Sequence, residues 1–107
     1  MLIRPDEGER IRQHRVLSEL PELEAFELRF EPDFVVAPHT HPDHADSFWV
    51  IEGEVEFTLG EEQFAAGPGT WFAAPAGVVH GFRTLSQVRL LNVHGPNTGF
   101  GVRLREN

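Results

Sequence analysis

Hydrophobic and polar residues alternate over short stretches of this chain, and the stretches are broken by glycine, proline and aspartate. EVEFTL (54–59) is the clearest case, with Val55, Phe57 and Leu59 on one face and Glu54, Glu56 and Thr58 on the other. Period-two alternation is the mark of a half-buried strand. Gly60-Glu61 then offers a two-residue hairpin turn, and EQFAAG (62–67) returns. LEAFELRF (23–30) alternates around an aromatic centre and is punctuated by EPD (31–33). FVVAPHTH (34–41) is extended, since its proline and the one that follows it forbid helix. SFWVIEG (47–53), TWFAAP (70–75), VVHGFR (78–83) and QVRLLNV (87–93) complete the series. Seven or eight short strands with turn signals between them predict an all-β sandwich or barrel. ERIRQHRVLSEL (9–20) is the best helical candidate, but its apolar spacing is weak and it reads better as strand or irregular structure.

The length of 107 residues fits one domain, 1–107, with a core of about 23–94 and flanking segments that pack on it. No run approaches the roughly 20 apolar residues that a membrane-spanning helix needs. The start, MLIRPDEGER, has no apolar signal core, so a cytoplasmic setting is expected. The net charge of −8 argues against nucleic acid and against an anionic membrane surface as partners. The chain has no cysteine, which excludes disulfides, thiolate ligands and thiol nucleophiles. All nine basic residues are arginine, which excludes lysine Schiff-base chemistry.

The candidate chemistry lies in HTHPDHADSFWVIEG (39–53), which crowds three histidines and two aspartates into eight positions. His39 and His41 are two apart, so on a strand they share a face. The segment led by Pro42 crosses to the next strand, which Asp46 opens with Phe48 and Val50 facing inward beside it. A second segment, GTWFAAPAGVVHGFRT (69–84), presents His80 after a Pro-Ala-Gly turn. Three imidazoles and one carboxylate suit one divalent transition metal (Fe, Mn, Ni, Co, Cu or Zn) and do not suit Ca or Mg.

These residues carry a resemblance. The first motif of the cupins, G-x5-H-x-H-x3,4-E-x6-G, is matched by His39, His41, Asp46 and Gly53, and the second, G-x5-P-x-G-x2-H-x3-N, by Gly69, Pro75, Gly77 and His80. Fifteen residues separate the motifs, as in small microbial cupins, and the resemblance covers about residues 23–94. The flanks RPDEGE and LLNVHGP look like those of small quercetin-dioxygenase-like cupins. Three positions depart from the pattern: Asp33 replaces the opening glycine, Asp46 the glutamate, and Thr84 the final asparagine. The resemblance implies a jelly-roll β-barrel with the metal inside one open end, held by His39, His41, Asp46 and His80, and with a coordination position open to water, dioxygen or a chelating substrate.

Around that centre, Phe48, Val50, Phe57 and Phe82 are expected to line an apolar pocket for a small organic substrate. His44 and His94 are the candidate catalytic bases; the plainer reading makes His44 a rim residue and His94 a core or edge histidine. Arg83 and Arg89 are the arginines expected near the pocket rim. His14 reads as solvated, and the acidic run Glu19, Glu22, Glu24 and Glu27 as a solvated face. Trp49 and Ile51 fall on the face opposite to Asp46, where a homodimer contact would cover them. The expected function is a metal-dependent, dioxygenase-like enzyme. The alternatives are isomerase, cyclase or lyase chemistry, a non-catalytic metal- or ligand-binding barrel, and a barrel whose site stays empty.

Overall fold

A computed structural model describes residues 2–106. Ten strands follow in order: β1 (Arg10–Ile11), β2 (His14–Glu19), β3 (Glu24–Phe30), β4 (Val35–His39), β5 (Ala45–Glu52), β6 (Val55–Leu59), β7 (Glu62–Ala66), β8 (Trp71–Ala74), β9 (His80–Thr84) and β10 (Val88–Gly95). A helix, α1 (Phe100–Glu106), follows β10. The strands form two sheets, one in the order β1-β2-β3-β10-β5-β8 and one in the order β4-β9-β6-β7. All pairings are antiparallel. This is a jelly-roll barrel, as the alternation and the two motifs predict. The stretch 9–20 holds β1, a turn at residues 12 and 13, and β2, with no helix, in line with its weak helical spacing. The helix α1 was not foreseen.

Parity decides what each strand buries. On β5, Asp46, Phe48 and Val50 point inward, while Trp49 stands outside at 40 % exposure. On β10, Val88, Leu90, Asn92 and His94 are the buried members. The core between the sheets is aromatic: the Phe57 and Phe72 rings stack at 4.3 Å, and Phe48 meets Phe82 edge-on at 5.4 Å. Burying each such side chain contributes about 1.5–3 kcal/mol. Val50 and Phe57, expected at the pocket, belong to this packed layer at 0 % and 1 % exposure. They are corrected to core, because the two sheets have already closed on each other at that depth.

The β6–β7 hairpin forms as read, with Leu59 opposite Glu62 and Gly60 in the turn. Gly53 ends β5 with φ of 87°, and any side chain there would collide with the Gln87 carbonyl oxygen. Two of the departures from the cupin pattern have structural explanations. Asp33, in place of glycine, adopts φ of 63°, a conformation that Asp tolerates better than most residues. Thr84 is fully buried; its hydroxyl accepts from Phe34 N at 2.9 Å and donates to Glu31 O at 2.7 Å, tying the loop before β4 to β9.

The acidic run is solvated at Glu19 and Glu22 but not at its other two members. Glu24 and Glu27 are buried on opposite sides of β3. Glu27 faces outward among arginines, with Arg15 Nε at 3.3 Å, Arg89 Nη1 at 3.2 Å and Arg29 Nε at 3.6 Å. Burial would raise its carboxyl pKa, but these guanidinium groups hold it below the usual range. Glu24 faces inward and binds the C-terminal segment: it accepts from Thr98 N at 3.1 Å, Thr98 Oγ1 at 2.8 Å and Gly101 N at 3.1 Å. Thr98 also caps the helix, accepting from Phe100 N at 3.2 Å. Arg105 at the far end of α1 pairs with Glu9 and Glu19.

Candidate metal centre and pocket

His39, His41, Asp46 and His80 come together at one end of the barrel. Each offers one ligand atom, and the four atoms lie within 4.8 Å of one another. The register explains the meeting: His39 on β4 is paired directly with His80 on β9. Asp46 comes from the other sheet and reaches across the barrel.

Two rings are set by backbone carbonyls close in the chain. His39 Nδ1–H donates to Ala37 O at 2.8 Å, and His80 Nδ1–H donates to Val78 O at 2.9 Å, in both cases a carbonyl two residues earlier. That leaves Nε2 of each ring to face the cluster. His80 Nε2 lies 3.1 Å from Asp46 Oδ2, and His41 Nε2 lies 3.8 Å from the same oxygen. Ligand atoms bonded to a common ion at about 2.0–2.2 Å stand about 3–4 Å apart. The donor set and its spacing therefore fit a divalent transition metal.

The electrostatics agree. Burial would raise the Asp46 carboxyl pKa, but the hydrogen bonds from His80, His94 and Asn92 hold it far below the usual range. The Asn92 amide donates to Asp46 Oδ1 at 2.7 Å. The His41 pKa is lowered, by burial first and then by the charges of His44 and His39. The His80 pKa is raised, chiefly by its contact with Asp46. A low-pKa carboxylate beside converging imidazole nitrogens is an arrangement that a cation completes.

The two candidate bases flank the quartet. The His44 ring stacks on His41 at 4.2 Å, and its Nδ1 lies 2.9 Å from Asp43 Oδ1. It is buried in the wall and does not sit on the rim. His94 is held between two carboxylates, with Nδ1 at 2.8 Å from Glu24 Oε1 and Nε2 at 3.2 Å from Asp46 Oδ1. Burial alone would lower its pKa; Asp46 first, and Glu24 after it, turn the shift upward.

All six of these residues line one cavity of about 250 Å³. Phe48 and Phe82 line it as expected, joined by Phe30, Phe34 and Phe100. Sequence reasoning also missed His14, Thr98 and Arg103 in the wall. His14, read as solvated, packs against Phe26, Phe30 and Phe100 at ring distances of 6.0, 6.2 and 5.5 Å. Burial and the nearby Arg12 charge push its pKa down to about 4. Thr98 and Arg103 arrive with α1. Arg83 and Arg89 do not reach this cavity: Arg83 pairs with Asp33 and Glu56, and Arg89 with Glu27 and Glu52.

Comparison with known proteins places this geometry in a family. A family model described as Cupin domain matches residues 26–94, and the chain belongs to that family. An uncharacterized protein of Aquifex aeolicus (strain VF5) is 32 % identical over 75 residues, covering 70 % of this chain and 60 % of that one. The chain thus spans less than two thirds of that relative's length. KdgF from Halomonas sp. is similar in structure, with a TM-score of 0.74 and 27 % identity over 78 % of this chain and 76 % of that one. An RmlC-like cupin from Shewanella frigidimarina NCIMB 400 shares the fold, with a TM-score of 0.79 at 23 % identity over 89 % and 87 % of the two chains. The one helix among the described residues is short, and none is long and apolar enough to cross a membrane.

Proposed function

We propose that this cupin is a metal-dependent enzyme acting on a small organic molecule that enters the barrel and offers oxygen atoms to the metal. One observation carries the reading: three imidazoles and a carboxylate converge within 4.8 Å on the wall of a cavity that is otherwise largely aromatic. A purely structural metal site is closed by protein ligands and needs no cavity beside it. His39 and His41 are only partly buried, so the quartet keeps a side toward solvent.

When bound, a divalent metal supplies Lewis-acid polarisation of substrate oxygens, and a redox-active one adds dioxygen chemistry. The chain supplies the rest. Phe48, Phe82 and Phe34 hold an apolar substrate body and keep water away from it. His44 and His94 stand where a proton can be taken from or returned to a substrate carbon or oxygen. Dioxygenation is the first choice of reaction. Isomerisation, cyclisation or elimination through an enolate is the second, favoured by the buried Glu24–His94 pair, which equips the pocket wall for proton transfer without an oxidant.

Elemental analysis of protein purified without a histidine tag tests the reading, beside the His41→Ala variant. About one Fe, Mn, Ni, Co or Cu per chain, lost in the variant, is the expected result, followed by oxygen uptake with flavonols or β-diketones. Zinc alone favours the non-oxidative branch. Unchanged metal content in His41→Ala refutes the ligand set, and absence of metal after reconstitution refutes the enzyme reading.

A further inference from the structure

We propose that Asn92 is a positioning residue for the metal centre: with His94 beside it, it holds Oδ1 of Asp46, so that Oδ2 alone is presented to the ion. The proposal rests on the reading of the quartet as a metal site and says how its carboxylate is aimed.

The strand register sets the arrangement. Glu24 on β3, His94 on β10 and Asp46 on β5 are paired across three neighbouring strands, so they stand in one row. Asn92 comes two residues before His94 on β10 and shares its inward face. All four residues are buried. The two oxygens of Asp46 have different company. Oδ1 accepts from Asn92 Nδ2 at 2.7 Å, and His94 Nε2 lies 3.2 Å from it. Oδ2 has His80 Nε2 at 3.1 Å and His41 Nε2 at 3.8 Å. A buried carboxylate needs a donor in any case. What the geometry adds is that the amide goes to the oxygen turned away from His41 and His80.

The support is itself fixed. Asn92 Nδ2 also donates to Ser47 O at 3.0 Å, so both amide hydrogens are used. Turned over, the amide would set its carbonyl oxygen against two acceptors, which decides its orientation. His94 is held from behind by Glu24 Oε1 at 2.8 Å, and Glu24 accepts in turn from Thr98 and Gly101. Aspartate is one methylene shorter than the glutamate of the cupin motif, so it reaches an ion over a narrower range of angles. A carboxylate free to turn would offer either oxygen, or both together. Two contacts on Oδ1 remove that freedom before an ion arrives.

The zinc-loaded wild type needs no substitution and is tested first, by crystallography. One oxygen of Asp46 is expected on the ion at about 2.0–2.2 Å, and the other on Asn92. Both oxygens on the ion, or an ion-bound oxygen that is also the one on Asn92, overturns the proposal and leaves the metal reading standing. No uptake of zinc, cobalt or iron removes the metal reading and the proposal with it. Zinc affinity is then measured by chelator competition on the wild type, Asn92→Ala, Asp46→Ala and the double variant, with melting curves to establish folding. Asn92→Ala is expected to weaken zinc binding about 10–100-fold. In the Asp46→Ala background it is expected to change nothing further, because Asn92 acts through that carboxylate. A loss of the same size in both backgrounds is a general structural effect and overturns the proposal, as does unchanged affinity in Asn92→Ala. If Asn92→Ala does not fold, Asn92→Leu, which fills the space and drops the donor, takes its place in the cycle.

Discussion

The two faces of the six-stranded sheet each bury a glutamate from β3, and they solve the same problem with different chemistry. On the outer face, Glu27 is neutralised by Arg15, Arg29 and Arg89. Arginine stays charged at every pH at which the protein is folded, so that cluster is a fixed structural element. On the inner face, Glu24 is satisfied by an imidazole, a hydroxyl and two backbone amides. Its partners belong to the pocket wall or to the helix that carries Arg103. The outer face thus holds charge to keep the sheet together, and the inner face holds charge where chemistry can use it.

Removing the two carboxylates separates these roles most sharply. Glu24→Ala leaves His94 and the start of α1 without their shared acceptor, and is expected to cost about 3–5 kcal/mol in urea unfolding. Glu27→Ala is expected to cost less, about 1–3 kcal/mol. Arg15 still donates to the Arg4 and Glu7 carbonyls, and Arg89 still pairs with Glu52. Equal costs would show that the two faces do not differ in this way.

Acid is the next discriminator. The folded-state pKa of His14, about 4, lies below its usual 6.5, so the unfolded chain binds the proton more readily. Its contribution is complete above pH 6.5 and is lost as pH falls from 6.5 to 4. His14→Leu is expected to flatten stability against pH in that window. The Glu27 pKa is lowered from 4.5, so its contribution is present above 4.5 and is lost only as pH falls below that value. Glu27→Gln should therefore leave the higher window unchanged. Chemical denaturation at stepped pH reads both.

The smallest effect is expected at the exposed tryptophans. Trp49 and Trp71 are paired neighbours on the outer face, 40 % and 54 % exposed. Replacing both by serine should change unfolding by about 0.5 kcal/mol. A much larger, concentration-dependent loss in sedimentation and melting would show that a second copy covers this patch.

Most of the barrel and the quartet were legible because they depend on local signals. Alternation gives a strand its two faces, glycine and proline place its ends, and His39 and His41 are close in the chain, although β4 ends at His39 and His41 lies just beyond it. Glu24 was misread for the opposite reason: its partners His94, Thr98 and Gly101 are 70 or more residues away in the chain. Its parity with Phe26, Leu28 and Phe30 was the available signal, since an acid on the inward side of an apolar strand must have a partner. The helix α1 is too short for its apolar period to show, although Thr98 stood as a cap before it. His14 needed knowledge of which face of β2 met Phe100.

The carbonyl anchors of His39 and His80 have a consequence for affinity as well as for shape. Each ring is held by a backbone carbonyl two residues earlier, so two rotamers are already chosen before anything binds. A cation that bound the quartet would lose little affinity to ordering these two side chains.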